Sequence, residues 1–383
     1  MKFDYVFAIA SGQPDPLVLP FLTPEITCSH LILFVSEWSK DKGIDQNIKN
    51  AITPLGVQVI NVFLSSDSWS DIQNIIQQTV KNLPNKSIAF NANGGTKPMT
   101  LAAYEFCYNE DIPVFYIDKN QLEWLYTAVN DNLTPVKIEQ SLSINSYFLA
   151  HGYRVASQDE PLNSRSLKAL VKDWASQKNK SAIGKLNYLA SEGRVNNLQV
   201  KLNEGEVSDN SDICSYLDDL DRDGLIDLNL SKRRVKFNSE EERFFINGGW
   251  YELYIYMLLQ QINKKHFNGK GTVVSNIVVK PNDKLQKDLK NEIDVAFLLN
   301  NRLYLFECKT ANLSSQKERA NEAIYKLGTI LHEFGGIHAK GCITSYRDIN
   351  SLDKKRAKLL NIDIVEHSTS AESMEHKLYS FLK

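Results

Sequence analysis

Glu292-Ile293-Asp294-Val295-Ala296-Phe297-Leu298-Leu299-Asn300-Asn301-Arg302-Leu303-Tyr304-Leu305-Phe306-Glu307-Cys308-Lys309 is the stretch on which the reading of this chain turns. Two β-rich runs flank an Asn-Asn pair, and asparagine tolerates the positive φ that both central positions of a type I′ hairpin turn require. With Asn300 and Asn301 as the turn, Leu299 faces Arg302, Asp294 faces Glu307 and Glu292 faces Lys309. Directly opposed residues share a face of a sheet. The pairing therefore gathers Glu292, Asp294, Glu307 and Lys309 at the end away from the turn, on a surface completed by Ala296, Leu298, Leu303 and Leu305. The opposite surface, Ile293, Val295, Phe297, Tyr304, Phe306 and Cys308, is apolar. Two mostly apolar faces mark a central strand pair covered on both sides, with its charged cluster at the rim of a core.

Opposed carboxylates repel, and one lysine compensates only part of their charge. A divalent cation resolves the conflict: Mg²⁺ or Mn²⁺ takes oxygen ligands, commonly one or two carboxylates with waters and a substrate phosphate. Asp294 and Glu307 are the expected metal ligands, the Cys308 carbonyl a third oxygen, and Lys309 the group that holds or activates water and stabilises charge on the phosphate. Phosphodiester hydrolysis suits such a set. The structural alternative is a salt-bridge cluster at a sheet edge.

Around the hairpin lie an amphipathic helix, Trp250 to Ile262, a strand, Thr272 to Lys280, a helix, Glu318 to Phe334, a strand, Gly341 to Thr344, and a closing αβα. In this setting Asp294 and Glu307-Cys308-Lys309 resemble the D and ExK elements of the PD-(D/E)xK nuclease superfamily, and the element order resembles its αβββαβ core. Ile293 stands where many members have proline. The resemblance implies a catalytic role for Asp294, Glu307 and Lys309, and makes Glu252, on the preceding helix, the candidate for a further metal-site carboxylate; Glu252 also reads as a solvated helix residue.

The first 150 residues alternate β-rich runs (Tyr5 to Ala10, Leu31 to Val35, Val57 to Val62, Ser87 to Asn91, Val114 to Ile117) with helical patterns such as Trp69 to Leu83, stopped by Pro84-Asn85. That is the pattern of a Rossmann-like parallel sheet covered by helices. Asn91-Ala92-Asn93-Gly94-Gly95-Thr96-Lys97-Pro98-Met99 follows a strand and opens a helix. Paired glycines allow close backbone approach, helix-start amides attract anions, Thr96 is a candidate N-cap and Pro98 suits the first turn. The loop matches neither the P-loop nor the dinucleotide fingerprint; on spacing alone it also reads as a tight turn before an ordinary helix. It resembles the ligand loop of CARF domains, the CRISPR-associated Rossmann sensors. With the C-terminal region, the whole chain resembles the CARF and PD-(D/E)xK ancillary nucleases of type III CRISPR systems. The resemblance implies a homodimer that binds cyclic tetra-adenylate across its two-fold axis. Gly94, Gly95, Thr96 and Lys97 match the ligand loop, Ser11-Gly12-Gln13 the second contact region, and Asn91 and Asn93 are further candidates.

Between them, residues 151–240 read as a winged-helix-like connector. Helices are expected near Asn163 to Ser176, Ser181 to Ser191 and Ser211 to Leu220, and a wing from Leu225 to Leu230 and Arg233 to Phe237. Lys232, Arg233, Arg234 and Lys236 sit where a wing meets phosphate, but Asp218, Asp219, Asp221 and Asp223 favour a connector or dimer surface. Asp219 to Gly224 imitates the start of a calcium loop, yet its twelfth position is Leu230, so it reads as a solvated turn. A net charge of −2 with 43% hydrophobic and 23% charged residues describes a globular protein with no overall attraction to nucleic acid. Five cysteines without a C-x-x-C pair argue against a disulfide framework or zinc site and for a reducing, cytoplasmic setting. No membrane span is expected.

The reading is thus α/β throughout: a Rossmann-like sensor domain over 1–150, a connector over 151–240, and a nuclease domain of restriction-endonuclease type over 241–383. The expected activity is metal-dependent cleavage of DNA or RNA, switched by a cyclic oligoadenylate in antiviral defence. Its rivals are a transcriptional regulator acting through the winged helix, with a non-catalytic nuclease fold, and a hydrolase that degrades its own nucleotide ligand.

Overall fold

The computed structural model describes all residues except 1, 25, 66–67, 84–85, 128–133, 159–164, 178, 204–212, 283–289, 313–316, 335 and 337. Hydrophobic alternation builds the N-terminal sheet from β1 (Tyr5–Ile9), β2 (His30–Ser36), β3 (Gln58–Leu64), β4 (Ile88–Asn91), β5 (Val114–Asp118), β6 (Gln121–Tyr126) and β7 (Val136–Lys137), in the order β3-β2-β1-β4-β5-β6-β7. The first five are parallel, as expected, but β6 and β7 continue the sheet antiparallel. Val6 and Ala8 join one core, Phe7 and Ile9 another, because successive side chains point to opposite faces. The covering helices are α1 (Asp15–Val18), α2 (Glu37–Asp41), α3 (Ile44–Ile52), α4 (Trp69–Lys81), α5 (Lys97–Asn109) and α6 (Ile144–Ala150). Ser68 caps α4 by accepting the Asp71 amide; Pro84 and Asn85, the expected stop, lie outside the described residues.

After β8 (Tyr153–Gln158) come α7 (Arg165–Gln177), α8 (Lys180–Val195), β9 (Gln199–Lys201), α9 (Cys214–Arg222), β10 (Ile226–Asn229) and β11 (Arg234–Phe237). The last two pair antiparallel, and β9 adds a third strand that the sequence did not announce. Asn163 and Ser211, the expected helix starts, lie outside the described residues. Asp221 accepts the Leu228 amide at 2.8 Å, so the calcium-loop mimic closes the α9 to β10 turn.

The C-terminal region runs α10 (Glu240–Phe244), a π-turn kinked at Gly248 (φ 130°), α11 (Trp250–His266), β12 (Thr272–Pro281), β13 (Asn291–Leu299), β14 (Arg302–Lys309), α12 (Lys317–Phe334), β15 (Lys340–Ser345), α13 (Ser351–Leu359), β16 (Ile362–Glu366) and α14 (Ala371–Leu382). Its sheet has the order β16-β15-β14-β13-β12-β8. β8, which falls within the expected connector over 151–240, is the edge strand of this C-terminal sheet. No helix among the described residues is long and apolar enough to cross a membrane.

One apolar core runs without a break from the N-terminal sheet to α12. Phe148 of α6 meets Phe334 of α12 edge to face, ring centroids 5.3 Å apart, both fully buried. Phe148→Ala should cost about 3–5 kcal/mol, the usual range for emptying a buried phenylalanine site. Denaturant unfolding followed by probes in the two regions should shift for both together; a shift confined to one region would show that the core is not shared.

Candidate functional site: a lysine-bridged carboxylate pair

The hairpin turn is built as the sequence requires, with φ of 49° at Asn300 and 59° at Asn301. Pairing runs in the expected register from Leu299↔Arg302 to Val295↔Phe306. Val295, Phe297, Tyr304, Phe306 and Cys308 pack with α11 and α14, while Ala296, Leu298, Leu303 and Leu305 pack with α12.

The ladder changes at Asp294. On the β12 side Ser275↔Val295 and Ile277↔Ile293 are paired, with Asn276 and Asp294 skipped between them and Asn276 at φ 50°. Ile293 accordingly joins the opposite core from Val295, which corrects the expected face. On the β14 side the Asp294 carboxylate, through Oδ2, accepts the Cys308 amide at 2.7 Å. The side chain thus takes a place that a backbone carbonyl fills in regular pairing, and Asp294 does not stand directly opposite Glu307. Glu292 leaves the cluster: it is exposed and bonded to Lys290 at 2.9 Å.

Asp294, Glu307 and Lys309 do converge. The Lys309 Nζ lies 2.6 Å from Glu307 Oε1 and 3.9 Å from Asp294 Oδ2. Lys326, from α12, reaches the other face of Glu307 at 3.1 Å. Sequence reading missed it, although Ala323, Leu327 and Ile330 mark the buried stripe of α12 and Lys326 sits at its border. Glu307 is 3% exposed, and a carboxylate so deep needs both cations.

Burial, then the Glu307 charge, pushes the Asp294 carboxyl up to about 6. Burial, then Asp294, holds Glu252 well above the ordinary carboxylate range; Glu252 therefore belongs to the same electrostatic cluster. Burial alone would lower the Lys309 ammonium, but Asp294 and Glu307 outweigh it and hold it above the ordinary lysine value. Lys309 is accordingly a charged donor, not a proton acceptor, at neutral pH. Among the described residues no three His, Cys, Asp or Glu side chains already form a cage for a metal ion. Burial raises the Cys308 thiol well above its usual value, and its sulfur accepts from the Thr344 hydroxyl at 3.2 Å, so a packing role fits the thiol.

The glycine loop is equally constrained. A Cβ on Gly94 would lie 1.7 Å from the Ile9 carbonyl oxygen; Gly95, at φ 82°, would set one 2.9 Å from the Ile9 side chain. Asn91 is buried and donates to the Pro16 carbonyl at 2.8 Å. The Asn93 amide group bonds both ways with the Ile117 backbone, at 2.7 and 2.8 Å. Both asparagines thus shape the loop from behind. Thr96 occupies the N-cap of α5, but its side chain makes no capping bond. In front lies an open cavity of about 590 Å³ lined by Ser11, Gly12, Trp38, Gly95, Thr96 and Met99 among others. Ser11, Gly12, Gly95 and Thr96 are brought together there; Gln13, Asn91, Asn93, Gly94 and Lys97 are not in its lining. Trp38, 57% exposed, was missed by sequence reading because it follows a different strand, β2.

Family models match both regions: residues 8–147 match the Card1 CARF domain and residues 239–380 the Card1-like endonuclease domain. The chain carries a CARF domain followed by a Card1-like endonuclease domain. Two solved structures are similar over their whole length: protein VC1899 from Vibrio cholerae (23% identity, 99% of this chain and 98% of that chain, TM-score 0.85) and Can2 from Sulfobacillus thermosulfidooxidans in complex with cyclic tetra-adenylate (23%, 100% of each, 0.79). A type III CRISPR defence DNA nuclease activated by cyclic oligoadenylate is similar over 91% of this chain and 46% of that one (16%, 0.55). At these identities the structures establish the fold. No curated protein matches the sequence.

The raised Asp294 carboxyl gives the endonuclease domain a pH signature. Its folded-state value of about 6 exceeds the unfolded one, so the folded protein binds more protons between about pH 4 and 6 and loses stability as pH rises through that window. Without divalent cation, Asp294→Asn should raise the melting temperature at pH 8, with the gain shrinking to nothing near pH 4. An equal shift at both pH values would rule the cause out. In the CARF domain, Gly94→Ala must displace the Ile9 strand end, and should abolish binding at the cavity while the endonuclease domain's far-ultraviolet signal persists.

Proposed function

We propose that the chain is a nuclease that hydrolyses phosphodiester bonds of DNA or RNA with a divalent cation, and that a cyclic oligoadenylate bound at the CARF cavity switches it on. The observation that carries this reading is the pair of buried Glu307 and half-buried Asp294 sharing Lys309. The donor set fits Mg²⁺ or Mn²⁺: two carboxylates, one kept partly protonated by burial and by its neighbour, form an oxygen-rich, undercompensated site that a hard cation relieves. Asp294 and Glu307, with the Cys308 carbonyl, would hold the ion, which would supply Lewis-acid polarisation of the phosphate and a more acidic water.

The protein's own groups do the rest. Lys309, held charged, donates to the non-bridging oxygens on which charge develops. Lys326 bonds Glu307 from the other side and orients it. Glu252, held well above the ordinary carboxylate range by burial and then by the Asp294 charge, would offer the site a hydrogen-bond donor in its neutral form.

For the sensor, a ring with two-fold symmetry suits a site shared by two subunits. Exposed Trp38, Phe63 and Leu101, all on elements that border the cavity, offer apolar surface to a second copy. The Can2 complex, which holds cyclic tetra-adenylate, supports that ligand for this fold. The reading places this activity in the cytoplasm and in antiviral defence, the latter supported by the likeness to a type III CRISPR defence nuclease.

The deciding experiment incubates labelled DNA and RNA with the full chain, with and without cyclic tetra-adenylate and Mn²⁺. Cleavage should require Mn²⁺ and be raised about ten-fold or more by cyclic tetra-adenylate. Glu307→Ala and Lys309→Ala should each lower the stimulated rate about 100-fold or more, the usual size for losing a charge-stabilising group, without loss of ligand binding. Undiminished cutting by either variant would remove the hairpin from the chemistry.

A further inference from the structure

One of the two hairpin-turn residues, Asn301, is buried, which a turn residue need not be. Glycine at 301 would satisfy the positive φ; the structure instead has an asparagine only 7% exposed whose amide is wholly engaged with the CARF domain. Its Oδ1 accepts the Leu142 amide at 2.7 Å, and its Nδ2 donates to the Gln140 carbonyl at 3.0 Å and to Asn120 Oδ1 at 3.2 Å. Asn120 in return donates to the Asn300 carbonyl. Asn120 sits in the turn between β5 and β6, and its own carbonyl accepts the Ile138 amide at 2.8 Å, which ties the Gln140–Leu142 segment to the same turn.

The same end of β5 is held by the ligand loop. Ile117 exchanges two hydrogen bonds with the Asn93 side chain, and Asn93 directly precedes Gly94 and Gly95. From the glycine loop to the carboxylates the connection is continuous: Asn93 to Ile117, three residues along the chain to Asn120, across to Asn300 and Asn301, then along β13 and β14 to Asp294 and Glu307. The strands that complete the route lie in the middle of a six-stranded sheet and are packed on both faces, so they transmit a shift along their axis over about 20 Å instead of bending. A displacement of about 1 Å at a catalytic centre is enough to change rate about 100-fold.

We infer that the clasp of Asn120 on Asn300 and Asn301 is the joint through which ligand at the glycine loop positions the carboxylate hairpin. Asn120 and Asn301 are positioning residues: they touch neither ligand nor substrate, and their amides fix where the strand pair sits relative to the sensor. The inference rests on the ligand-switched nuclease reading above and adds its route.

The test uses the full-length protein, with Asn301→Gly, which keeps the turn conformation, Asn120→Ala, and the double variant. Three quantities are measured for each: affinity for cyclic tetra-adenylate, cleavage in Mn²⁺ alone, and cleavage with both. Expected is a fall of about ten-fold or more in the activation ratio for each single variant. Basal cleavage and ligand affinity in the absence of metal should stay within about three-fold. The double variant should be no worse than the worse single one, because residues in one clasp are not additive. Linkage is reciprocal, so Mn²⁺ with substrate should tighten ligand binding in the wild type and not in the variants. An unchanged activation ratio overturns the inference, as does an equal loss of basal and stimulated cleavage, which would mean simple structural support. If the wild type itself ignores the ligand, the switched-nuclease reading fails first, and the clasp with it.

Discussion

The structure depends on holding two carboxylates, Asp294 and Glu307, together at the end of a strand pair that is apolar on both faces. Burying one charge there is costly and burying two of like sign more so. The sheet meets the demand with several devices at once: a backbone amide from Cys308 on Asp294, Lys309 between the acids, and Lys326 on the far side of Glu307. What remains uncompensated is the cluster's affinity for further positive charge. The like charges cost stability at this one place, while the surrounding sheet and helices hold it rigid.

The break opposite Asn276 is part of the same arrangement. Regular pairing would leave the Asp294 side chain pointing straight out beside Glu307, with its backbone in the ladder. Skipping the pair flips the face of β13 between Ile293 and Val295 and lets the carboxylate turn onto the Cys308 amide. Paired irregularities of this kind re-aim a side chain without ending the sheet.

Much of this was legible in the sequence. The Asn-Asn turn fixes the hairpin register, the register brings Asp294, Glu307 and Lys309 to one end, and alternation assigns Val295 to Leu305 to their faces. The flip at Asp294 was not legible, because a break in pairing depends on the neighbouring strand β12 and leaves no mark on β13 itself. Lys326 and Trp38 reach their sites from elements far away in sequence, and spacing rules speak only within an element. Strand β8 escaped because Tyr153–Gln158 is mostly exposed and lacks the apolar alternation that marks a strand. The elements of the middle region were anticipated in order, and the short β9 was hidden by its length of three residues.

Strand β8 also changes what a piece of this protein would be. It precedes the whole middle region in the chain yet covers the outer side of β12. A fragment beginning where the endonuclease family match begins, at residue 239, would lack it. The uncovered β12 would then present a row of unpaired amides and carbonyls to any passing chain, a ready template for edge-to-edge aggregation. The excised domain would be adhesive for a reason unrelated to its catalytic centre, and its poor behaviour in solution would say nothing about whether the enzyme needs its sensor.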